Sequence, residues 1–276
     1  MTAISTFCYG AHVFANGIRQ HYLRYGGASA GPPLVLVPGI TSPAATWGFV
    51  GERFGTAYDT HVLDVRGRGL SSTGPSLDYS LDTYARDVSA FAQALHLKPY
   101  LLVGHSMGGR ISIRAARHDH DIARVVIVDP PLSGPGRSPF PSTLDRYLSV
   151  LRLAARGASL DELRPFTPTW KEEHLRVRAE WLPTCDETAV IETHRGFQTD
   201  DIHTDLPLLR AEALFMVAGK GPLTTEDIES VRRIAPRIRI RTVENAGHMI
   251  PMDDLEGFFE ALGDFLGTRL PIPRTL

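Results

Sequence analysis

A short pattern near the middle of the chain constrains the fold more than any other feature. Residues 104–108 read Gly-His-Ser-Met-Gly, with Ser106 at the centre. An apolar run at 100–103 predicts a buried strand before it, and the spacing at 110–117 predicts a helix after it. A serine on a tight turn between a strand and a helix is a nucleophile elbow, which needs glycines because the two backbones approach closely. The pattern therefore predicts a Ser106 hydroxyl presented at a helix N-terminus.

Further strands and helices alternate on both sides of this turn. An Asn16-Gly17 pair predicts the turn of a hairpin between 11–14 and 18–23. Strand patterns follow at 33–37, 61–65, 124–128, 213–218 and 238–243. Helical patterns lie between or after them at 44–54, 81–95, 225–234 and 254–266. This alternation predicts an α/β fold whose central sheet is mostly parallel, with helices on both faces.

The alternation stops between residues 132 and 204. That stretch has no convincing strand pattern, and helix-like runs occupy 143–156, 160–165, 170–182 and 187–197. We therefore predict an α/β core formed by residues 1–131 and 205–276, and a helical cap formed by residues 132–204. The cap is expected to cover the C-terminal edge of the sheet, where ligands bind in such folds.

Composition limits the possible partners of the chain. Its 276 residues are 43% hydrophobic and 22% charged, as in ordinary globular proteins, and its net charge of −2 gives no reason to expect nucleic acid or a membrane surface. No apolar run is long enough to cross a bilayer and no signal-peptide pattern is present, so we expect a cytoplasmic protein. The sequence does not specify an oligomeric state.

Cofactor motifs are absent from the sequence. Cys8 and Cys185 lie far apart and form neither a metal motif nor a disulfide framework. The chain also lacks a P-loop and a dinucleotide-binding fingerprint. We therefore expect no metal and no organic cofactor.

A serine nucleophile needs a histidine base, and position in the chain singles out His248. It follows the last predicted strand and precedes the last helix, so its loop lies at the same sheet edge as Ser106. His105 is closer in sequence, but adjacent residues on a tight turn point apart. We expect His105 to pack beside the turn and His248 to be the base.

The carboxylate that orients the base has more than one candidate. In this topology it usually follows the strand after the helical insertion, but residues 218–222 contain no acid. Asp129 follows the preceding strand, and Pro130 is expected to hold it in an extended conformation. We favour Asp129, with Asp227 or Glu226 as the alternative, although those two residues also suit the first turn of a helix. The order serine, aspartate, histidine is that of α/β-hydrolases.

An oxyanion hole requires backbone N–H groups directed at the developing negative charge. The N–H of Met107, directly after the nucleophile, is one expected donor. The other is the N–H of Ile40, in the loop after the 33–37 strand. Together with Ser106, Asp129 and His248, these groups are sufficient for acyl transfer.

Three motifs resemble the α/β-hydrolase superfamily: Gly-His-Ser-Met-Gly-Gly at 104–109, Asp-Val-Arg-Gly-Arg-Gly-Leu-Ser at 64–71 and Asn-Ala-Gly-His at 245–248. Within it, the chain more closely resembles the N-formylmaleamate deformylases of nicotinate degradation. That closer resemblance rests on residues 128–137, 178–185 and 247–259. In that family the triad acid also lies in the Asp-Pro-Pro segment.

The resemblance implies hydrolysis of N-formylmaleamate to maleamate and formate through a formyl-serine intermediate. Such a substrate carries a carboxylate, so a cation or other donor should bind it. The candidate substrate-binding residues are Arg110, Arg137, His174, Arg178, Trp181 and Arg195. Trp170 is a further candidate for the pocket wall.

Two other functions suit the same residues. A carboxylesterase or enol-lactonase acting on a small carboxylic acid derivative would use the same triad, because fold does not determine the substrate. A ligand receptor on a hydrolase scaffold would keep the triad and retain its ligand. Turnover of matched substrates distinguishes these alternatives.

Overall fold

A computed structural model describes residues 5–28 and 30–270 of the chain. Its strands belong to one sheet and are β1 (Phe7–Ala15), β2 (Ile18–Tyr25), β3 (Pro33–Val37), β4 (Asp59–Leu63), β5 (Tyr100–His105), β6 (Ile122–Val128), β7 (Glu212–Ala218) and β8 (Arg239–Val243). The predicted hairpin is present, and Asn16 and Gly17 both have positive φ, at 49° and 75°. That conformation matches the twist of the two strands they join.

The sheet has the order β1-β2-β4-β3-β5-β6-β7-β8. Strands β3 to β8 pair in parallel, whereas β1 with β2 and β2 with β4 are antiparallel. The predicted mostly parallel sheet is thus confirmed. Parallel strands align their carboxyl ends at one edge, so the residues after β3, β5, β6 and β8 are brought together there.

Helices connect the strands and cover both faces of the sheet. They are α1 (Gly48–Phe54), α2 (Leu81–Ala94), α3 (Met107–His118), α4 (Leu144–Ala155), α5 (Leu160–Leu163), α6 (Glu172–Trp181), α7 (Glu187–Thr199), α8 (Thr225–Ile234), α9 (Ile250–Asp253) and α10 (Leu255–Leu262). Buried apolar residues form one cluster on each face, one including Ile111 and Val125, the other Val103 and Phe258. None of the helices described is long and apolar enough to cross a membrane.

Most predicted boundaries differ from the structure by one or two residues, but the first strand and the last helix differ more. The first strand, predicted at 11–14, spans Phe7–Ala15, and the strand predicted at 61–65 spans Asp59–Leu63. The last helical pattern, predicted at 254–266, is two short helices, α9 and α10. Asp254 separates them by accepting from the Gly257 N–H, and Gly263 ends α10 with a φ of 56°.

The segment from 132 to 204 contains helices α4 to α7 and no strand, as predicted. Its contacts with the rest of the chain are polar as well as apolar. Arg110 on α3 donates to the carbonyls of Gly196 and Asp200, and Thr169 donates to Asp253. The division into core and cap stays a prediction, but these bonds tie the helical segment to the sheet edge where β5, β6 and β8 end.

Candidate active site

The turn after β5 presents Ser106 in a strained backbone conformation. Its φ is 55°, a left-handed value that costs energy for any residue other than glycine. Two glycines make the turn possible, because a Cβ at Gly104 would lie 2.1 Å from the Gly108 carbonyl oxygen, and one at Gly108 would lie 1.9 Å from that of Val37. The Ser106 N–H donates to the carbonyl of Val128, which fixes the turn against β6. The predicted strand, turn and helix are all present.

Three side chains from three loops meet at this turn. The Ser106 Oγ lies 3.0 Å from His248 Nε2, and His248 Nδ1 lies 2.7 Å from Asp129 Oδ2. Because a carboxylate can only accept, we assign the proton to Nδ1, which leaves Nε2 as the acceptor for the Ser106 hydroxyl. The arrangement can move a proton from serine to histidine while aspartate holds the imidazole.

Asp129 reaches His248 from an unexpected backbone conformation. The proline after it predicts extended backbone, but its φ is 43°, and the extended prediction was wrong. The Asp129 N–H donates to the Met216 carbonyl and Oδ1 accepts from the Ala218 N–H at 3.1 Å, so bonds to β7 stabilise this turn. Aspartate tolerates left-handed backbone better than most residues. The carboxylate is fully buried and faces His248.

The alternative acids lie elsewhere. Asp227 is the third residue of α8 and forms a reciprocal capping box with Thr224. Glu226 is exposed on the same turn, near Arg233. The loop after β7 instead packs against Asp129, since a Cβ on Gly221 would lie 3.2 Å from Asp129 Oδ2. Of the three candidates, the geometry brings only Asp129 to His248.

His105 forms a hydrogen bond in addition to the packing that the sequence predicts. Its Nε2 donates to the backbone carbonyl of His248 at 2.8 Å, and its ring packs against Trp47. Burial, and to a smaller extent the neighbouring His248, lower the pKa of His105 to about 3. The neutral imidazole therefore fixes the backbone of His248 over the turn.

This buried imidazole predicts how stability depends on pH. An unfolded His105 binds a proton below about pH 6.5, whereas the folded one does not, so acid favours the unfolded chain. Between about pH 7 and pH 5 this residue should lower the free energy of unfolding by about 2 kcal/mol. Urea denaturation of the protein and of His105→Gln at both pH values measures the effect. The prediction is wrong if His105→Gln loses as much free energy of unfolding between pH 7 and pH 5 as the unaltered protein does.

The loop after β3 lies beside Ser106 and is held by two arginines. Arg68 Nε donates to the Ile40 carbonyl at 2.9 Å, and Arg178 donates to both the carbonyl and the hydroxyl of Thr41. Ile40 lines the same cavity as Ser106. Met107 is the first residue of α3, so its N–H has no acceptor within the helix. The oxyanion-hole role of these two N–H groups stays a prediction.

A cavity of about 180 Å³ opens onto Ser106 and His248. The loop after β3 forms one wall, and the helical segment forms the other. The lining residues that sequence reasoning did not single out are Thr41, Ser42, Ser142, Arg146, Tyr147, Val150, Phe166, Thr167 and Met249. The signal that could have found Thr41 is its place next to Ile40. The others depend on how the helices fold over the sheet. Among the residues described, no group of His, Cys, Asp or Glu suits a metal ion.

Of the predicted substrate-binding residues, only Arg178 lines this cavity. Arg110 is buried and donates to four backbone carbonyls, and burial lowers its pKa to about 10. Arg195 pairs with Glu192 on α7 and lines, with Arg110, a separate cavity of about 380 Å³. Arg137 is exposed, His174 packs on Phe49, and Trp181 is partly buried away from the cavity. Trp170 does line it, beneath the Arg178 guanidinium.

Comparison with known proteins shows which family the chain is similar to. The model of the alpha/beta hydrolase family matches residues 34–261. An N-formylmaleamate deformylase from Pseudomonas putida is 56% identical over 265 residues, which are 95% of this chain and 98% of that protein. A 2-(acetamidomethylene)succinate hydrolase from Mesorhizobium japonicum is 25% identical over 86% of this chain and 88% of its own.

A solved structure agrees with this sequence similarity. The crystal structure of a serine-to-alanine variant of N-formylmaleamic acid deformylase from Pseudomonas putida superposes with a TM-score of 0.88. The two chains are 50% identical, and the match covers 92% of this chain and 100% of that one. The predicted fold and family resemblance are confirmed.

Proposed function

Because the chain belongs to the alpha/beta hydrolase family, we propose that it hydrolyses N-formylmaleamate to maleamate and formate. The observation that carries this proposal is its 56% identity to an N-formylmaleamate deformylase across nearly the whole length of both chains. The geometry of Ser106, His248 and Asp129 supports it, since it supplies a nucleophile, a base and an orienting acid. The acyl-transfer chemistry that cleaves esters also cleaves the bond between a formyl carbon and a nitrogen.

In the first half-reaction, His248 Nε2 takes the proton of the Ser106 hydroxyl while Oγ attacks the formyl carbon. The carbonyl oxygen becomes an oxyanion, which the N–H groups of Ile40 and Met107 stabilise. The bond from carbon to nitrogen then breaks, and His248 gives its proton to the nitrogen. Maleamate leaves, and the formyl group stays on Ser106 as an ester.

In the second half-reaction, water attacks the formyl ester. His248 takes a proton from the water, the same N–H groups stabilise the second oxyanion, and Ser106 leaves with the proton from His248. Formate is released and the serine is regenerated. Asp129 keeps the imidazole in one orientation throughout, which both proton transfers require.

Residues 132–204 act as a cap in this proposal. They supply Ser142, Tyr147, Trp170 and Arg178 to the cavity wall opposite the loop after β3. A wall on that side limits the access of water and the size of the acyl donor. The cap therefore selects a small substrate, whereas the sheet edge supplies the reacting groups.

Matched substrates test the proposal directly. Formate release from N-formylmaleamate, measured with a coupled dehydrogenase assay, is expected to give a kcat/KM at least ~10²-fold above the values for an enol-lactone and a short aryl ester. We expect this ratio because the pocket should bind the transition state of the formyl imide better than that of the lactone or the ester. A higher kcat/KM for the lactone or the ester would indicate that the protein is an enol-lactonase or an esterase and not a deformylase. Binding of N-formylmaleamate without turnover would indicate a receptor.

A further inference from the structure

The wall of the cavity that holds Ser106 and His248 is positively charged. Arg146 and Arg178 both line it, and none of the described residues around it is acidic. Arg146 is exposed and donates to the Phe166 carbonyl at the outer end. Arg178 extends from α6 to the loop that carries Ile40. A cavity lined by cations without carboxylates favours an anionic ligand.

Arg178 has donors that the chain does not use. Thr41 accepts from its two terminal nitrogens, at 3.2 and 3.3 Å, and the buried Nε has no partner among the residues described. No carboxylate of the described residues pairs with it. A guanidinium offers further N–H donors in a planar fork that matches a carboxylate. Its charge therefore lacks a counterion among the residues that the structure describes.

A second unsatisfied group lies in the same wall. The Thr167 hydroxyl is buried and has no hydrogen-bond partner among the residues described. Buried polar groups are normally paired, and those that are not commonly await a ligand or water. Arg178 lies over Trp170, whose ring supports the guanidinium at 5.4 Å. These residues therefore place unpaired polar atoms in the wall of the cavity that Ser106 also lines.

We propose that Arg178 binds the carboxylate of the leaving group, and that it accelerates acylation but not deacylation. This inference rests on the proposed function. N-formylmaleamate carries its carboxylate on the maleamate half, so the anion leaves when the bond from carbon to nitrogen breaks. The formyl ester on Ser106 has no carboxylate. Arg178 consequently has nothing to bind while water attacks that ester.

A purely structural role of Arg178 makes a different prediction. The residue holds Thr41, which follows Ile40 in the loop expected to stabilise the oxyanion. Both half-reactions form an oxyanion at that loop. If Arg178 only held the loop, its removal would slow acylation and deacylation alike, with charged and uncharged substrates.

Two aryl formates separate these possibilities. Phenyl formate and 3-carboxyphenyl formate give the same formyl enzyme, but only the second has a carboxylate on its leaving group. For Arg178→Gln, we expect kcat/KM to fall by ~10²-fold with 3-carboxyphenyl formate and with N-formylmaleamate. With phenyl formate, the loss of kcat/KM should stay below about tenfold, because only the two bonds to Thr41 are lost with that substrate. Equal losses with both aryl formates, or no loss with either, would overturn the proposal.

The control variant is Arg176→Gln, on the same helix. Arg176 is exposed and pairs with Glu172, so its loss should leave all three substrates unaffected. Arg178→Lys keeps the charge without the fork, and is expected to recover only part of the lost activity with the anionic substrates. Hydrolysis of phenyl formate by Arg178→Gln within about tenfold of the unaltered protein also shows that the variant folds.

One measurement needs no variant at all. With phenyl formate as substrate, maleamate should be a competitive inhibitor of the unaltered protein, and the uncharged diamide of maleic acid should bind at least ~10²-fold more weakly. Equal inhibition by both compounds would contradict a carboxylate site. If N-formylmaleamate releases no formate, the proposed deformylase function fails, but the ratio between the two aryl formates still tests Arg178.

Discussion

Replacement of Ser106 by alanine is expected to lower kcat for formate release by ~10⁶-fold. In the proposed mechanism the Oγ atom forms the bond to the formyl carbon, and His248 Nε2 lies 3.0 Å away to take its proton. No other described hydroxyl occupies that position. The measurement is formate release from N-formylmaleamate at enzyme concentrations high enough to detect single turnovers.

The fold should survive this substitution. Alanine keeps the Cβ that the strained turn already accommodates, so the free energy of unfolding in urea should change by less than about 1 kcal/mol. Ser112→Ala is the matched control, since Ser112 lies on α3 close to Gly104 and its buried hydroxyl has no partner among the residues described. That variant should keep its activity. Formate release by Ser106→Ala at the original rate would show that Ser106 is not the nucleophile.

Replacement of Asp129 by asparagine is expected to lower kcat by ~10⁴-fold. The carboxylate accepts from His248 Nδ1 at 2.7 Å, which leaves Nε2 free to accept from Ser106. An amide at position 129 can donate to Nδ1, and the proton then moves to Nε2, where it blocks the transfer from serine. Steady-state kinetics with N-formylmaleamate and with phenyl formate should show the same loss, because both need the base.

Asp227→Asn is the comparison that decides between the acids. Asp227 forms the capping box of α8, so its substitution should lower stability by ~1 kcal/mol and leave kcat near its original value. A mild effect of Asp129→Asn together with a large one of Asp227→Asn would transfer the orienting role to α8. Urea denaturation of both variants separates loss of folding from loss of catalysis.

Local patterns were enough to predict the parts of the site that depend on single turns. The glycines around Ser106 and the position of His248 after the last strand follow from rules that involve neighbouring residues. Asp129 could also be predicted from the sequence, because it directly follows a strand. Its left-handed backbone was not predicted, since it depends on bonds to Met216 and Ala218, which are distant in sequence.

The wall of the cavity opposite Ser106 could not be predicted in the same way. Four arginines, one histidine and one tryptophan were equally plausible as substrate contacts, because a helical pattern does not say which face meets the sheet. The structure separates Arg178, which lines the cavity, from Arg110, whose donors are satisfied by carbonyls. Only tertiary packing makes that distinction.

The position of Asp129 changes what evolution and engineering can alter in the loop after β7. In the proposed triad the acid comes from the end of β6, so the side chains at 219–222 take no part in orienting His248. Their constraint is volume, because a Cβ on Gly221 would lie 2.6 Å from the Ala218 Cβ and 3.2 Å from Asp129 Oδ2. Natural variants of this loop should therefore tolerate exchanges of charge more readily than gains in size. A library at positions 220 and 222, with Gly221 retained, is a route to new surface properties without loss of the triad.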